Sequence, residues 1–216
     1  MSNGPEQSDT VVVQFDQVTV RFDGDTALDR VSFAMRAGET RVLLGAAGSG
    51  KTVLLKTAMG LQAADSGRVL LFGRDITRMA ERELFELRSR VGILFQEGGL
   101  FDSLTVEENV AYPLRNQKTR QAQSESETEE SVREALRFVE LEHTLQQFPS
   151  ELSGGMRRRV GIARAVVTEP GLVLYDSPTA GLDPITANTI MALIVKERDT
   201  RNAAALMATH RYQDGQ

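Results

Sequence analysis

Residues Gly45 to Thr52 read GAAGSGKT, a run of small side chains that ends in a lysine and a hydroxyl. The order fits G-x-x-x-x-G-K-[ST] without a mismatch, and each residue type has a chemical reason. Gly45, Ala46, Ala47, Gly48, Ser49 and Gly50 are small enough for successive backbone N–H groups to converge on phosphate oxygens. Lys51 supplies a point charge between terminal phosphates, and the Thr52 hydroxyl is a ligand suited to Mg²⁺. The motif follows an apolar stretch, Thr40 to Leu44, and opens a helical pattern from about Lys51 to Met59. That strand-then-helix setting gives the motif its specificity and adds the favourable dipole of a helix N-terminus.

Two further segments carry chemistry. Leu172 to Pro184 read LVLYDSPTAGLDP, in which an apolar run delivers Asp176 to the end of a buried strand, a place for a metal-facing carboxylate. The next residue is Ser177. Glu151 to Arg159 read ELSGGMRRR, with Ser153, Gly154 and Gly155 ahead of an amphipathic helix. Exposed N–H groups there make a second anion site; taken alone, the same residues read as a helix start capped by Ser153.

These groups need elements to hold them. Val11 to Phe22 alternates as a strand or two with a turn near Asp16, and FDGD at Phe22 to Asp25 is a turn signal. Val31 to Met35 and Thr40 to Leu44 read as strands split at Ala37-Gly38. Short strands follow near Arg68 to Phe72 and Val91 to Phe95, with a charged helix around Glu81 to Arg88 between them. Lys118 to Glu130 has no apolar periodicity and predicts an exposed, mobile acidic loop. Helical spacing returns at Val132, Ala135, Leu136 and Val139, and again at Val160, Ala163 and Val167. A strand over Gly171 to Asp176, a helix over Ile185 to Arg198 and a strand over Ala203 to Thr209 complete the pattern. Strands alternating with helices predict an α/β fold around a largely parallel sheet with helices on both faces.

The chain has 216 residues, 41% of them hydrophobic and 25% charged, enough apolar material for one domain with a sizeable core. Its formal net charge of −5 gives no electrostatic reason to expect nucleic acid as a partner. With no cysteine, disulfides and thiolate metal sites are ruled out. No apolar run is long enough to span a membrane, so work at a membrane would need another chain to cross it.

GAAGSGKT, LSGGM and LVLYD, in that order, resemble the ATP-binding cassette (ABC) family, and the resemblance runs from Val11 to His210. It implies a P-loop cassette over residues 11–216, preceded by a flexible tail over residues 1–10. The cassette would have a mostly parallel core sheet, an N-terminal antiparallel β subdomain and an inserted helical lobe over about residues 97–168, with C-terminal elements missing beyond Gln216. It implies ATP and Mg²⁺ as cofactors, with Thr52, Gln96 and Asp176 around the metal. Gln96, in ILFQEGG, matches the Q-loop glutamine, which contacts metal and water and senses the membrane partner. Ala180, Gly181, Leu182 and Asp183 match the D-loop, and His210 matches the switch histidine at the γ-phosphate. Phe22 stands where the family stacks an aromatic on adenine, although a strand face shared with Val18 and Val20 suits core packing equally. Ser153, Gly154, Gly155 and Met156 would contact the ATP of the partner subunit in a head-to-tail homodimer. Taken singly, Gln96 is a polar strand end, His143 a solvated or structural histidine, and Arg157 to Arg159 a solvated helix face.

LSGGM, the segment EGGLFDSLTVEENVAYPLR from Glu97 to Arg115, and DPIT at Asp183 to Thr186 look most like the Mla-type, organic-solvent-resistance or Mkl-like lipid-transport ATPases. That likeness implies a permease docked near Leu100 to Leu114, an accessory subunit, and a place on the cytoplasmic face of the inner membrane. A soluble ABC protein acting on nucleic acid is the competing class, disfavoured by the acidic balance. The family's residue after the strand-ending aspartate is a glutamate that polarises the attacking water, a kind of assistance that contributes ~10²–10⁴-fold. With Ser177 there, two readings stay open: slow hydrolysis with His210 orienting water, or an ATP switch that closes without efficient turnover.

Overall fold

A computed structural model describes residues 10–96, 98–116, 124–201 and 203–210. The expected tail, apart from Thr10, and the first part of the expected acidic loop lie outside the described residues. In chain order the elements are β1 (Val11–Phe22), β2 (Asp25–Arg36), β3 (Thr40–Leu44), α1 (Lys51–Ala58), β4 (Ser66–Leu71), β5 (Arg74–Asp75), α2 (Glu81–Arg88) and β6 (Val91–Leu94), followed by α3 (Val106–Asn116), α4 (Glu125–Phe138), α5 (Gly154–Val166), β7 (Leu172–Asp176), α6 (Pro184–Arg201) and β8 (Ala204–Thr209).

The strands form an antiparallel sheet in the order β2-β1-β4-β5 and a parallel sheet in the order β3-β8-β7-β6. The antiparallel sheet comes wholly from the first 75 residues, and α3, α4 and α5 form a helical lobe between β6 and β7. The parallel sheet sorts its side chains by the two-residue period of a strand. Leu172 and Leu174 of β7, with Leu206 and Ala208 of β8, face the core shared by α1 and the antiparallel sheet. Val173, Tyr175, Ala205 and Met207 face the other core, built from α3, α4, α5 and α6.

Two local expectations are corrected. β1 does not turn near Asp16: it runs on through a bulge, with Gln17 at φ 52 and the register slipping between Phe15 and Val18. Gly67 lies across the bulge, where a Cβ would come within 2.3 Å of the Gln17 carbonyl, so only glycine lets the strands close there. The second correction concerns the acidic stretch. From Glu125 onward it is helix α4, not loop. Ser124 accepts from the Glu127 amide while the Glu127 carboxylate accepts from Ser124, a capping box that starts the helix before its apolar residues begin.

Candidate functional site

Register in the parallel sheet decides which loops meet. Leu44 pairs with Thr209, Asp176 with Ala208, and Leu94 with Tyr175. The carboxyl ends of β3, β8, β7 and β6 therefore lie side by side, the edge where open α/β sheets bind their ligands. Each strand end delivers one residue singled out in the sequence: Gly45 one place past β3, His210 one past β8, Asp176 the last of β7, and Gln96 two past β6. His210 and Gln96 are both exposed at that edge.

The glycine-rich loop is held in shape by its own residues. Gly48 and Gly50 adopt φ 77 and φ 85, in the left-handed region that favours glycine. A Cβ on Gly50 would also lie 2.3 Å from the Ala27 carbonyl, so the start of β2 packs directly on the loop. Lys51 folds across the loop and donates to the carbonyls of Gly45 (2.8 Å) and Ala46 (2.6 Å) and to the Ser49 hydroxyl (3.2 Å). Its ammonium is thus poised over the first turn of α1, where the unpaired N–H groups also point. Phe22 ends β1 beside the same hairpin and is 43% exposed, while Val18 and Val20 are fully buried. Its ring is not a core side chain, which removes the packing alternative and leaves it free to stack.

Thr52 Oγ1 donates to Asp176 Oδ2 at 2.9 Å, across 124 residues of sequence. This pair of hard oxygens fits Mg²⁺, which commonly takes one or two protein oxygens and completes its shell with phosphate and water. No group of three or more His, Cys, Asp or Glu able to hold a metal occurs among the described residues. Any divalent ion here would depend on the phosphates it accompanies.

Ser177 sits at φ 50, a left-handed conformation uncommon for serine, just where β7 turns away. Its surroundings hold it there: its amide donates to the Ala208 carbonyl at 2.8 Å, and its own carbonyl accepts from the Ala180 amide at 3.1 Å. The hydroxyl lies 3.4 Å from Asp176 Oδ1, a long contact. A serine hydroxyl in this place can orient a water but cannot take its proton.

The LSGG segment lies elsewhere. Ser153 caps α5, its hydroxyl accepting from the Met156 amide at 3.2 Å, so the capping role read from the sequence holds. Ser153 and Gly154 are exposed. A Cβ on Gly155 would fall 2.6 Å from the Thr186 methyl, and one on Gly154 would touch Leu182. The second glycine is thus required by close packing against α6. Asp183 caps α6 by accepting from the amides of Ile185 and Thr186, both at 3.0 Å; the Thr186 hydroxyl first, and then these amides, hold its carboxyl below the usual range.

The reading of Arg157 to Arg159 as a solvated face is corrected. Arg158 is buried at 4% exposure and donates to the carbonyls of Ser177 (2.9 Å) and Ala180 (3.0 Å). Arg157 reaches the Leu152 carbonyl and Arg159 the Val139 carbonyl. Asn109 also escaped the sequence reading. It is fully buried in α3 and ties down the loop after Gln96 through the Phe101 amide and the carbonyls of Phe101, Leu104 and Thr105. That loop borders a groove of about 980 Å³ lined by Phe85, Ile93, Phe95, Phe101, Tyr112 and Arg164, among others. Of the apolar residues between Leu100 and Leu114, Val106, Val110 and Ala111 are core, while Phe101 and Tyr112 stand 42% and 43% exposed with their rings 4.7 Å apart.

A family model described as ABC transporter matches residues 28–180. The probable ribonucleotide transport ATP-binding protein mkl of Mycobacterium leprae is 38% identical over 200 residues, covering 93% of this chain and 57% of that protein. The methionine import ATP-binding protein MetN of Rhizobium johnstonii is 40% identical over 199 residues, covering 92% and 54%. The chain thus spans little more than half the length of these curated relatives. Among solved structures, the dimeric post-hydrolysis state of the ATP-binding cassette MJ0796 bound to ADP and Pi superposes with a TM-score of 0.85 at 31% identity, covering 94% of this chain and 90% of that one.

Proposed function

The chain belongs to the ABC transporter family, and on that premise we propose that it is the ATP-binding subunit of a transporter that couples ATP binding and hydrolysis to phospholipid movement through a membrane permease. The observation that carries the reading is the meeting of Thr52 and Asp176 at 2.9 Å on the carboxyl edge of the parallel sheet, directly behind the glycine-rich loop. In this reading the loop amides and Lys51 hold the phosphates, and Phe22 stacks on the base. Thr52 and Asp176 would hold Mg²⁺, which would supply positive charge to offset that of the phosphates. Gln96 and His210 face the same edge and orient water. Ser153 to Met156 open α5 with Ser153 and Gly154 exposed, and in this reading they meet the nucleotide of a second copy arranged head to tail. The groove beside Phe101 and Tyr112 takes the permease.

Among the described residues no helix is long and apolar enough to cross a membrane. The reading places the chain as a peripheral subunit at the cytoplasmic face of the inner membrane, with an accessory subunit alongside. The phospholipid assignment rests on LSGGM, the Glu97 to Arg115 segment and DPIT; the relatives' names point to ribonucleotide and methionine transport instead. Reconstitution with the co-purified permease separates the three: phospholipid, methionine and ribonucleotides are offered in turn, and phosphate release is followed. Stimulation by phospholipid alone supports the reading; stimulation by either other cargo, with none by phospholipid, overturns it. Ser177 supports a second reading, an ATP-dependent switch with little turnover, which predicts nucleotide-driven assembly without phosphate release.

A further inference from the structure

We propose that Arg158 is a positioning residue that couples the start of α5 to the turn carrying Ser177. Three observations support it. Arg158 lies five residues after Ser153, about 7–8 Å along the same helix. Its two terminal nitrogens donate separately to Ser177 and Ala180, the first and last residues of the turn after β7. That turn is itself closed by the Ala180 amide on the Ser177 carbonyl, so the guanidinium clamps both ends of one unit.

The geometry leaves little slack. The Gly154–Gly155 step packs against Leu182 and Thr186, just beyond the clamped turn. Ser177 is held at a positive φ by bonds from β8 on one side and Arg158 on the other. A displacement of the α5 start therefore moves the Ser177 and Ala180 carbonyls with it. A guanidinium suits the task because its planar fork reaches two acceptors in fixed directions, which a lysine ammonium does not. In a head-to-tail pair, contact of Ser153 to Gly155 with one nucleotide would set the turn beside the other. The inference rests on the proposed ATP-driven pairing for this last step, but the clamp itself does not.

Amide hydrogen exchange on the full chain tests the two parts separately, with Arg158→Met and Arg158→Lys beside the parent. Without nucleotide, Arg158→Met should speed exchange over residues 177–183 by about 10-fold, the loss of charge-assisted bonds to the turn, while β7 keeps its protection. Unchanged exchange there overturns the clamp, whatever the protein does with ATP. With Mg-ATP, the parent should slow exchange at both 153–157 and 177–183, and the methionine variant at 153–157 only. Equal slowing of both segments in the variant overturns the coupling. No slowing of either segment in the parent counts against the ATP-driven pair, and the nucleotide-free comparison still decides the clamp. Where the parent turns over ATP, kcat should fall by about 10-fold in Arg158→Met with KM little changed, and Arg158→Lys should recover part of the loss. A loss shared equally between kcat and KM would mark Arg158 as merely structural, and full rescue by lysine would overturn the two-acceptor clamp.

Discussion

Replacing Glu197 with methionine should stabilise the protein, and by more at neutral than at acid pH. Glu197 lies on the inward face of α6 at 1% exposure, and neither carboxylate oxygen has a hydrogen-bond partner among the described residues. The Tyr175 hydroxyl is in the same position. Burial raises the Glu197 pKa, with Arg201 pulling it partly back; burial first, and the charge of Glu197 second, push Tyr175 well above its ordinary value. A buried polar group left unsatisfied costs about 1–3 kcal/mol. Methionine keeps nearly the same length and removes that cost. For a chain of this size each 1 kcal/mol moves Tm by about 2–4 °C, so the gain should be about 2–12 °C near neutral pH. The sign with pH follows from proton binding. Between the unfolded value, about 4.3, and the raised folded one, the folded state holds the extra proton. The parent therefore loses stability as pH rises through that window and levels off above it, and the methionine variant lacks this component. Thermal scans at a series of pH values would show the two diverging as pH rises. A variant that melts at or below the parent at neutral pH would refute the reasoning and show that Glu197 has a stabilising partner.

Ser177→Glu should raise phosphate release by as much as ~10²-fold with ATP affinity little changed, because a carboxylate there acts on the attacking water in the transition state. A serine form whose turnover the glutamate does not improve would show that the water is positioned by another group, with His210 the first to examine. Gly154→Glu should abolish ATP-driven dimers while the monomer still binds ATP, since it places a bulky anion at the exposed start of α5. Light scattering that showed undisturbed ATP-dependent dimers would contradict the head-to-tail arrangement. Gly155→Ala should lower stability by about 1–3 kcal/mol, because the new methyl meets Thr186 at 2.6 Å; a denaturant midpoint equal to the parent's would show that α6 yields instead.

Residues whose proposed role fixes their type were legible in the sequence. Gly45 to Thr52 must be small, then cationic, then hydroxylic, and Asp176 must follow an apolar run, so the spacing carried the chemistry. The folded register then adds what spacing lacks, namely that Thr52 and Asp176 touch and that Gln96 and His210 share their edge. What escaped was set by partners distant in sequence. Three consecutive arginines read as solvent-facing because arginine is rarely buried; Arg158 is buried only because the Ser177 turn, some twenty residues on, offers two carbonyls. Glu197 sits in a helix whose polar and apolar residues are mixed around the axis, so its inward aim had no periodic signal. The start of α4 could have been read: Ser124-x-x-Glu127 is a capping box, but the absence of apolar residues after it hid the helix.

Calorimetric titration of the chain with Mg-ATP, beside Lys51→Ala, asks whether residues 45–52 bind nucleotide phosphate. Lys51 is the side-chain cation folded over the phosphate loop, and its charge-assisted contact with phosphate should be worth at least about 10-fold in affinity. The parent should bind Mg-ATP saturably and the variant should lose that factor or more, with the fold intact by circular dichroism. No binding by the parent, or equal binding by both, would contradict this assignment.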